Sequence, residues 1–241
     1  MGASAFAIFS TGTPSSLLDT GRHLLSSSVL AKSGFFAAFS LIFASEVGDK
    51  TFFIAALLAM RFGKFISLVG SVAALSLMTI ISVSIGYAVK SVPSVIKSSE
   101  VLGQWAGAAL LVYFGIRTLR DALGQEGESG EELGEARESV EEAEKEGSIT
   151  GESPLATFAE VATLIFVAEW GDRSMLATIA LGAAQSPLGV AGGAIMGHLV
   201  ATIIAVWGGA MLSNHISEKT VGIIGGVLFL VFAAATIFGF C

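Results

Sequence analysis

A single cysteine, Cys241, leaves the chain with neither a disulfide framework nor a thiolate metal site. Three histidines, at positions 23, 198 and 215, are too scattered to form a zinc motif. Charge is scarce as well: 14% of the 241 residues are Asp, Glu, Lys or Arg, against about 25% in soluble domains. The sequence holds no Ser/His/Asp arrangement, no Gly-rich phosphate loop and no loop long enough for a catalytic domain. An enzyme, a resident cofactor and a nucleic-acid partner are therefore not expected.

Apolar residues are plentiful. They make up 53% of the chain, and mean hydropathy is +0.77. Six long apolar runs cover roughly 34–60, 65–89, 101–119, 155–182, 187–212 and 220–240. About 20 apolar residues suffice to cross a bilayer core, so each run is long enough for a helix. None alternates with period two, which argues against a barrel. The expectation is an all-α polytopic membrane protein with six transmembrane helices and the lipid bilayer as its first partner. Oligomerisation is left open.

Residues 1–32 are rich in Ser and Thr, contain Asp19 as their one acid, and read as a transit-peptide remnant or a tail. The segment 121–152 holds twelve acidic and two basic residues, a net charge of −10. The remainder of the chain is therefore +3 against the overall −7. This segment cannot span a membrane, and its composition suggests a mobile acidic linker, with Glu131–Glu146 able to form a solvated helix.

The linker separates two similar halves, 33–120 and 153–241. At a shift of 123 residues, Glu46-Val47-Gly48-Asp49-Lys50-Thr51 falls on Glu169-Trp170-Gly171-Asp172-Arg173-Ser174. Leu58 then falls on Leu181, Gly70 on Gly193, Thr79 on Thr202 and Gly86 on Gly209. Each half carries three runs, an odd number, so the second half enters the membrane from the opposite side. That is an inverted-topology repeat. A slight Lys/Arg excess on the linker side places the linker toward cytoplasm or stroma.

Both motifs lie near the middle of their runs. Glu46, Asp49, Lys50, Glu169, Asp172 and Arg173 therefore bring charge to the membrane interior, where each Asp, Lys or Arg costs roughly 2.5–3.5 kcal/mol on insertion scales. Helical spacing of i, i+3 and i+4 places Glu46, Asp49 and Lys50 on one face, and Glu169, Asp172 and Arg173 likewise. Gly48 and Gly171 also permit a local break that frees carbonyl oxygens. Thr51 and Ser174 add hydroxyls. Four carboxylates and two cationic side chains leave −2, which one divalent cation neutralises. The oxygen donors suit Ca²⁺, Mg²⁺ or Mn²⁺. Low dielectric favours protonated carboxyls once the metal leaves, so exchange of a divalent cation for protons follows. The alternatives are a divalent cation channel, a non-transporting scaffold, and acid–base pairs that only tie the repeats together.

Other polar positions read more plainly. His198 reads as a hydrogen-bonded packing residue, and Glu160 as interfacial. Thr79 and Thr202 fit either a path lining or interhelical bonding. Gly103/Gly107, Gly193/Gly197 and Gly222/Gly226 are small-residue pairs for close helix packing.

Two copies of E-x-G-D-[KR]-[TS], three apolar runs per half and an acidic central segment resemble one membrane family. Its members include Golgi calcium/manganese transporters and the manganese transporters of cyanobacteria and chloroplasts. The resemblance spans about residues 33–240, and Phe53–Leu58 and Ala180–Gly189 look most like the plastid branch. It implies cation/proton exchange with Mn²⁺ or Ca²⁺ as substrate, with Glu46, Asp49, Glu169 and Asp172 as ligands. Gly48, Lys50, Thr51, Gly171, Arg173 and Ser174 would support them. It also implies a chloroplast envelope or thylakoid membrane.

Overall fold

The computed structural model describes residues 34–91, 99–124, 131–213 and 218–238. The tail at 1–32 lies outside them. Among the described residues the chain is helical, with no strand. The helices are α1 (Phe35–Glu46), α2 (Lys50–Phe62), α3 (Lys64–Ser91), α4 (Ser99–Gly124), α5 (Glu131–Lys145), α6 (Pro154–Ala168), α7 (Arg173–Ala184), α8 (Pro187–Ser213) and α9 (Glu218–Ile237).

Two of the six expected spans are interrupted, at the glycines where the sequence permits a break. Runs 34–60 and 155–182 are each split into two helices, α1/α2 and α6/α7. The cause is local. Gly48 has φ 83° and Gly171 has φ 86°, a left-handed conformation that ends a helix and that L side chains avoid. Asp49 and Asp172 follow in extended conformation and start the next helix as N-caps. The axis bends by 77° between α6 and α7. Two described helical stretches, Lys64–Val89 and Pro187–Gly208, are each long and apolar enough to cross a membrane, and the bent α6/α7 pair qualifies as a third. The helical stretches Phe35–Glu46 and Gly222–Ile237 are apolar but shorter.

The two halves interlock. α1 packs on α8, and α6 packs on α3. α2 also packs on α8 and α7 on α3, while α4 pairs with α9. Glycines, among them the repeat-equivalent Gly70 and Gly193, make these approaches possible. A Cβ on Gly70 would come within 2.8 Å of the Val161 side chain on α6, and one on Gly193 within 2.1 Å of the Phe35 carbonyl oxygen on α1. A Cβ on Gly197 would come within 3.0 Å of the Phe39 carbonyl oxygen, and one on Gly226 within 3.0 Å of the Leu119 amide nitrogen. These glycines act as helix-packing positions, as their spacing suggests. Gly193→Val is expected to cost at least about 1–3 kcal/mol, the usual range for overpacking, because backbone must move. Thermal unfolding in detergent checks this. Gly192→Ala, whose Cβ would lie 3.6 Å from the Phe35 ring, is expected to leave the melting temperature nearly unchanged. On the outer surface, Leu77 and Ile80 of α3 and Ile203 and Trp207 of α8 are exposed, an apolar face suited to lipid.

The acidic segment is a correction. Rather than a mobile linker, 131–145 is a helix docked on α2. Leu133, Ala136, Val140 and Ala143 recur at spacings of three and four and form one apolar stripe. Ala136, Val140 and Ala143 are buried in the same core cluster as Phe52, Phe53 and Ala56 of α2. Two ion pairs flank the stripe: Lys50 with Glu135 at 3.7 Å, and Arg61 with Glu144. Glu160 accepts hydrogen bonds from the Thr150 amide and hydroxyl and from the Gly151 amide, fastening the far end of the segment to α6.

Candidate functional site

The glutamates beside the two helix breaks meet in the protein interior. Glu46 is the last residue of α1 and is 3% exposed; Glu169 is the C-cap of α6 and is 1% exposed. A turn closes each break in the same way, with Asp49 N donating to Glu46 O at 3.2 Å and Asp172 N to Glu169 O at 3.1 Å. Thr51, in the first turn of α2, reaches across the repeats. Its hydroxyl donates to Glu169 Oε1 and lies 3.5 Å from Glu46 Oε2. Ser174 Oγ donates to Glu169 Oε2 at 3.2 Å. Both carboxyl oxygens of Glu169 thus receive a hydroxyl, one from each motif.

Asp49 and Asp172 sit at the N-termini of α2 and α7, where the helix dipole favours an anion. Asp172 also accepts from the Ser174 amide at 3.0 Å. The cationic members of the motifs differ. Arg173 crosses to the first repeat, donating to the Asp49 carboxylate and, at 3.3 Å, to the Ser45 carbonyl. Its counterpart Lys50 pairs instead with Glu135 on α5. The reading of each motif as one helical face is therefore corrected. The glycine breaks remove the helical register, so Glu46 and Lys50 belong to different helices with different neighbours.

A cleft of about 340 Å³ opens beside this cluster. Asp49, Lys50, Thr51, Gly171, Asp172 and Arg173 line it. So do Glu132 and Glu135 of α5, which extend its carboxylate lining. Gly48 lines a smaller neighbouring cavity of about 60 Å³ together with Ser45 and Arg173. Thr51 has a second exposure, to a cavity of about 10 Å³ bounded also by Glu46, Ser71 and Thr202. Thr51 thus borders both the cleft and this inner cavity. Thr79, in contrast, makes a local bond to the Leu75 carbonyl at 2.8 Å.

The donors are carboxyl, hydroxyl and carbonyl oxygens, the chemistry of hard divalent cations. Among the described residues no three His, Cys, Asp or Glu side chains converge closely enough to hold a metal ion. The motif acids are neighbours, but Arg173 occupies the Asp49 carboxylate, so the arrangement is not a closed coordination shell.

Sequence reasoning does not place three neighbours at the motifs. Composition places Glu132 and Glu135 in a linker, although the apolar stripe beside them marks a docked helix. His198 of α8 corrects its reading as a hydrogen-bonded packing residue: it is 1% exposed, neither ring nitrogen has a hydrogen-bond partner among the described residues, and Nδ1 lies 3.5 Å from Glu46 Oε1. Its repeat equivalent is Leu75, so comparison of the halves gave no signal.

Residues 34–126 and 157–240 match the model of the divalent cation/proton antiporter GDT1 family. A PAM71-homolog protein of Arabidopsis thaliana, named as chloroplastic, is 55% identical over 96% of this chain and 64% of its own length. A chloroplastic GDT1-like protein 2 of Oryza sativa subsp. japonica is 55% identical over 98% of this chain and 67% of its own. A GDT1-like protein of Synechocystis is 42% identical over 85% of this chain and 96% of its own. This chain spans roughly two thirds of the length of the first two relatives. No solved structure matches. The plastid resemblance is borne out by the plant relatives. With its doubled acidic breaks and both halves matched, the chain belongs to the divalent cation/proton antiporter GDT1 family.

Proposed function

We propose that this chain exchanges Mn²⁺ or Ca²⁺ for protons across a chloroplast membrane, with Glu46, Asp49, Glu169 and Asp172 holding the cation in turn. The observation that carries the reading is the contact of two buried glutamates, one from each half, through Thr51. Two ionised carboxylates in a low-dielectric interior are unfavourable. A proton on each, or one divalent cation between them, removes that cost. The two occupancies exclude each other, which is the requirement for exchange.

The architecture supports the same reading. Halves 33–120 and 153–241, joined by segment 121–152, form two inverted three-helix repeats with broken helices at the midplane. The reciprocal packing of α1 on α8 and α6 on α3 is what a two-fold relation between halves demands. Alternating access would rock one repeat against the other around the shared carboxyl pair. Gly48 and Gly171 supply the breaks, Thr51 and Ser174 hold Glu169, and Arg173 holds Asp49.

Flux into proteoliposomes tests this. Uptake of Mn²⁺ or Ca²⁺ is expected to saturate and to follow an imposed pH gradient. Saturable uptake that ignores the gradient would contradict proton exchange, and linear uptake would indicate a channel.

A further inference from the structure

Glu46 has buried polar neighbours, away from those that line the acidic cleft, with unmet bonding capacity. His198 is 1% exposed, yet among the described residues neither ring nitrogen has a hydrogen-bond partner. Ser71 Oγ on α3 is fully buried and likewise without a partner. Buried polar groups are nearly always paired. Both orphans border Glu46: His198 directly, and Ser71 across the inner cavity of about 10 Å³.

Resting on the exchange reading above, we propose that Glu46, His198 and Ser71 form an inner cation subsite, and that its imidazole nitrogen selects a first-row ion such as Mn²⁺ over Ca²⁺. The separation of donors fits. Ligands held about 2.0–2.6 Å from one ion, at right angles, lie about 2.8–3.7 Å apart. His198 Nδ1 and Glu46 Oε1 are 3.5 Å apart without hydrogen-bond geometry. The cavity of about 10 Å³ is bordered by Glu46 and Ser71 and not by His198, which meets it through Glu46, and about 10–15 Å³ holds one water-sized occupant. Thr202 adds a hydroxyl at its wall while donating to the His198 carbonyl at 2.8 Å. That bond ties the wall of the cavity to the imidazole-bearing turn.

The donor set carries the specificity. Ca²⁺ takes oxygen ligands, whereas imidazole suits first-row transition ions, the series to which Mn²⁺ belongs although it also takes oxygen donors. The cleft side offers oxygen donors and would admit either ion. The inner side adds a nitrogen. Because the first repeat has Leu75 at the equivalent position, the transporter carries one such imidazole, and discrimination falls on one side of the carboxyl pair.

The test uses the full chain with His23 and His215 changed to Gln, so that His198 is its one imidazole. Mn²⁺ bound to this protein is examined by pulsed electron paramagnetic resonance for coupling to ¹⁴N, alongside competitive Mn²⁺ and Ca²⁺ flux. The background protein is expected to show nitrogen coupling, which His198→Leu and His198→Gln each abolish. In both variants the preference for Mn²⁺ over Ca²⁺ is expected to fall by about tenfold or more, the lower end of what ligand-shell changes cost. Bound Mn²⁺ without nitrogen coupling, or an unchanged preference in the variants, overturns the subsite and leaves the exchange reading standing. If the background protein neither binds nor moves either ion, the exchange reading falls and the subsite with it. The spectrum of the background protein decides the ligand assignment even if neither variant folds.

Discussion

Glu169→Gln is expected to bring gradient-driven divalent cation flux to background, and Glu46→Gln to do the same, while both proteins stay folded. The substitution removes a charge and a proton-binding oxygen at nearly constant shape. At Glu169 the Thr51 and Ser174 hydroxyls can keep a bond to the amide, since a hydroxyl donates or accepts as needed. At Glu46 the neighbours are Thr51 and His198, both able to pair with an amide. Removing a buried charge that has no cationic partner of its own is neutral or stabilising, so the melting temperature is expected to hold or rise. Flux should fall by more than about 100-fold, exceeding the 10–100-fold typical of residues behind the ligands. Measuring flux and melting on the same preparations separates loss of the site from loss of the fold. A variant that melts normally and still exchanges would remove that glutamate from the site.

Arg173→Gln is expected to lower the KM for the cation and lower turnover together. Arg173 holds the Asp49 carboxylate and the Ser45 carbonyl across the repeat boundary. Without it the motif charge changes from −2 to −3, and an incoming divalent cation meets a free carboxylate. Binding tightens and release slows. The fold loses a pair that is only partly buried, with side-chain exposures of 30% for Arg173 and 12% for Asp49. The stability cost should be about 1–2 kcal/mol, below that of a fully buried pair. Lys50→Gln is the internal control. Lys50 pairs with an exposed Glu135 on α5 at 3.7 Å rather than with Asp172, and its loss should cost below about 1 kcal/mol. Its effect on KM should be small. Saturation curves for the two variants, measured side by side, check the asymmetry. Equal changes would mean that the two cations are interchangeable in the working cycle.

Much of this was legible in the sequence because the duplication is. A shift of 123 aligns both motifs and the glycines that carry the tightest helix contacts. Gly48 and Gly171 were readable as possible breaks, and both carry positive φ. Helical spacing through the motifs misled, since a pattern of i, i+3 and i+4 has meaning only where the helix continues. The acidic segment misled through composition: its charge concealed Leu133, Ala136, Val140 and Ala143, which bury one face of α5. Repeat logic itself obscured the rest. It assigns Lys50 and Arg173 equal roles, whereas α5, an element with no counterpart in the other half, takes Lys50 for Glu135. It also passes over His198, which one half has and the other replaces with Leu75.

The central claim is that cation and protons compete for one pair of buried carboxyls. Proton release on cation binding measures this directly. Mn²⁺ or Ca²⁺ is titrated into the detergent-solubilised protein in weak buffer between about pH 6 and 8, with bound ion and released acid counted together. The account expects at least about one proton released per ion bound, and none from the Glu46→Gln/Glu169→Gln double variant. Stoichiometric binding to the unaltered protein without proton release would contradict it.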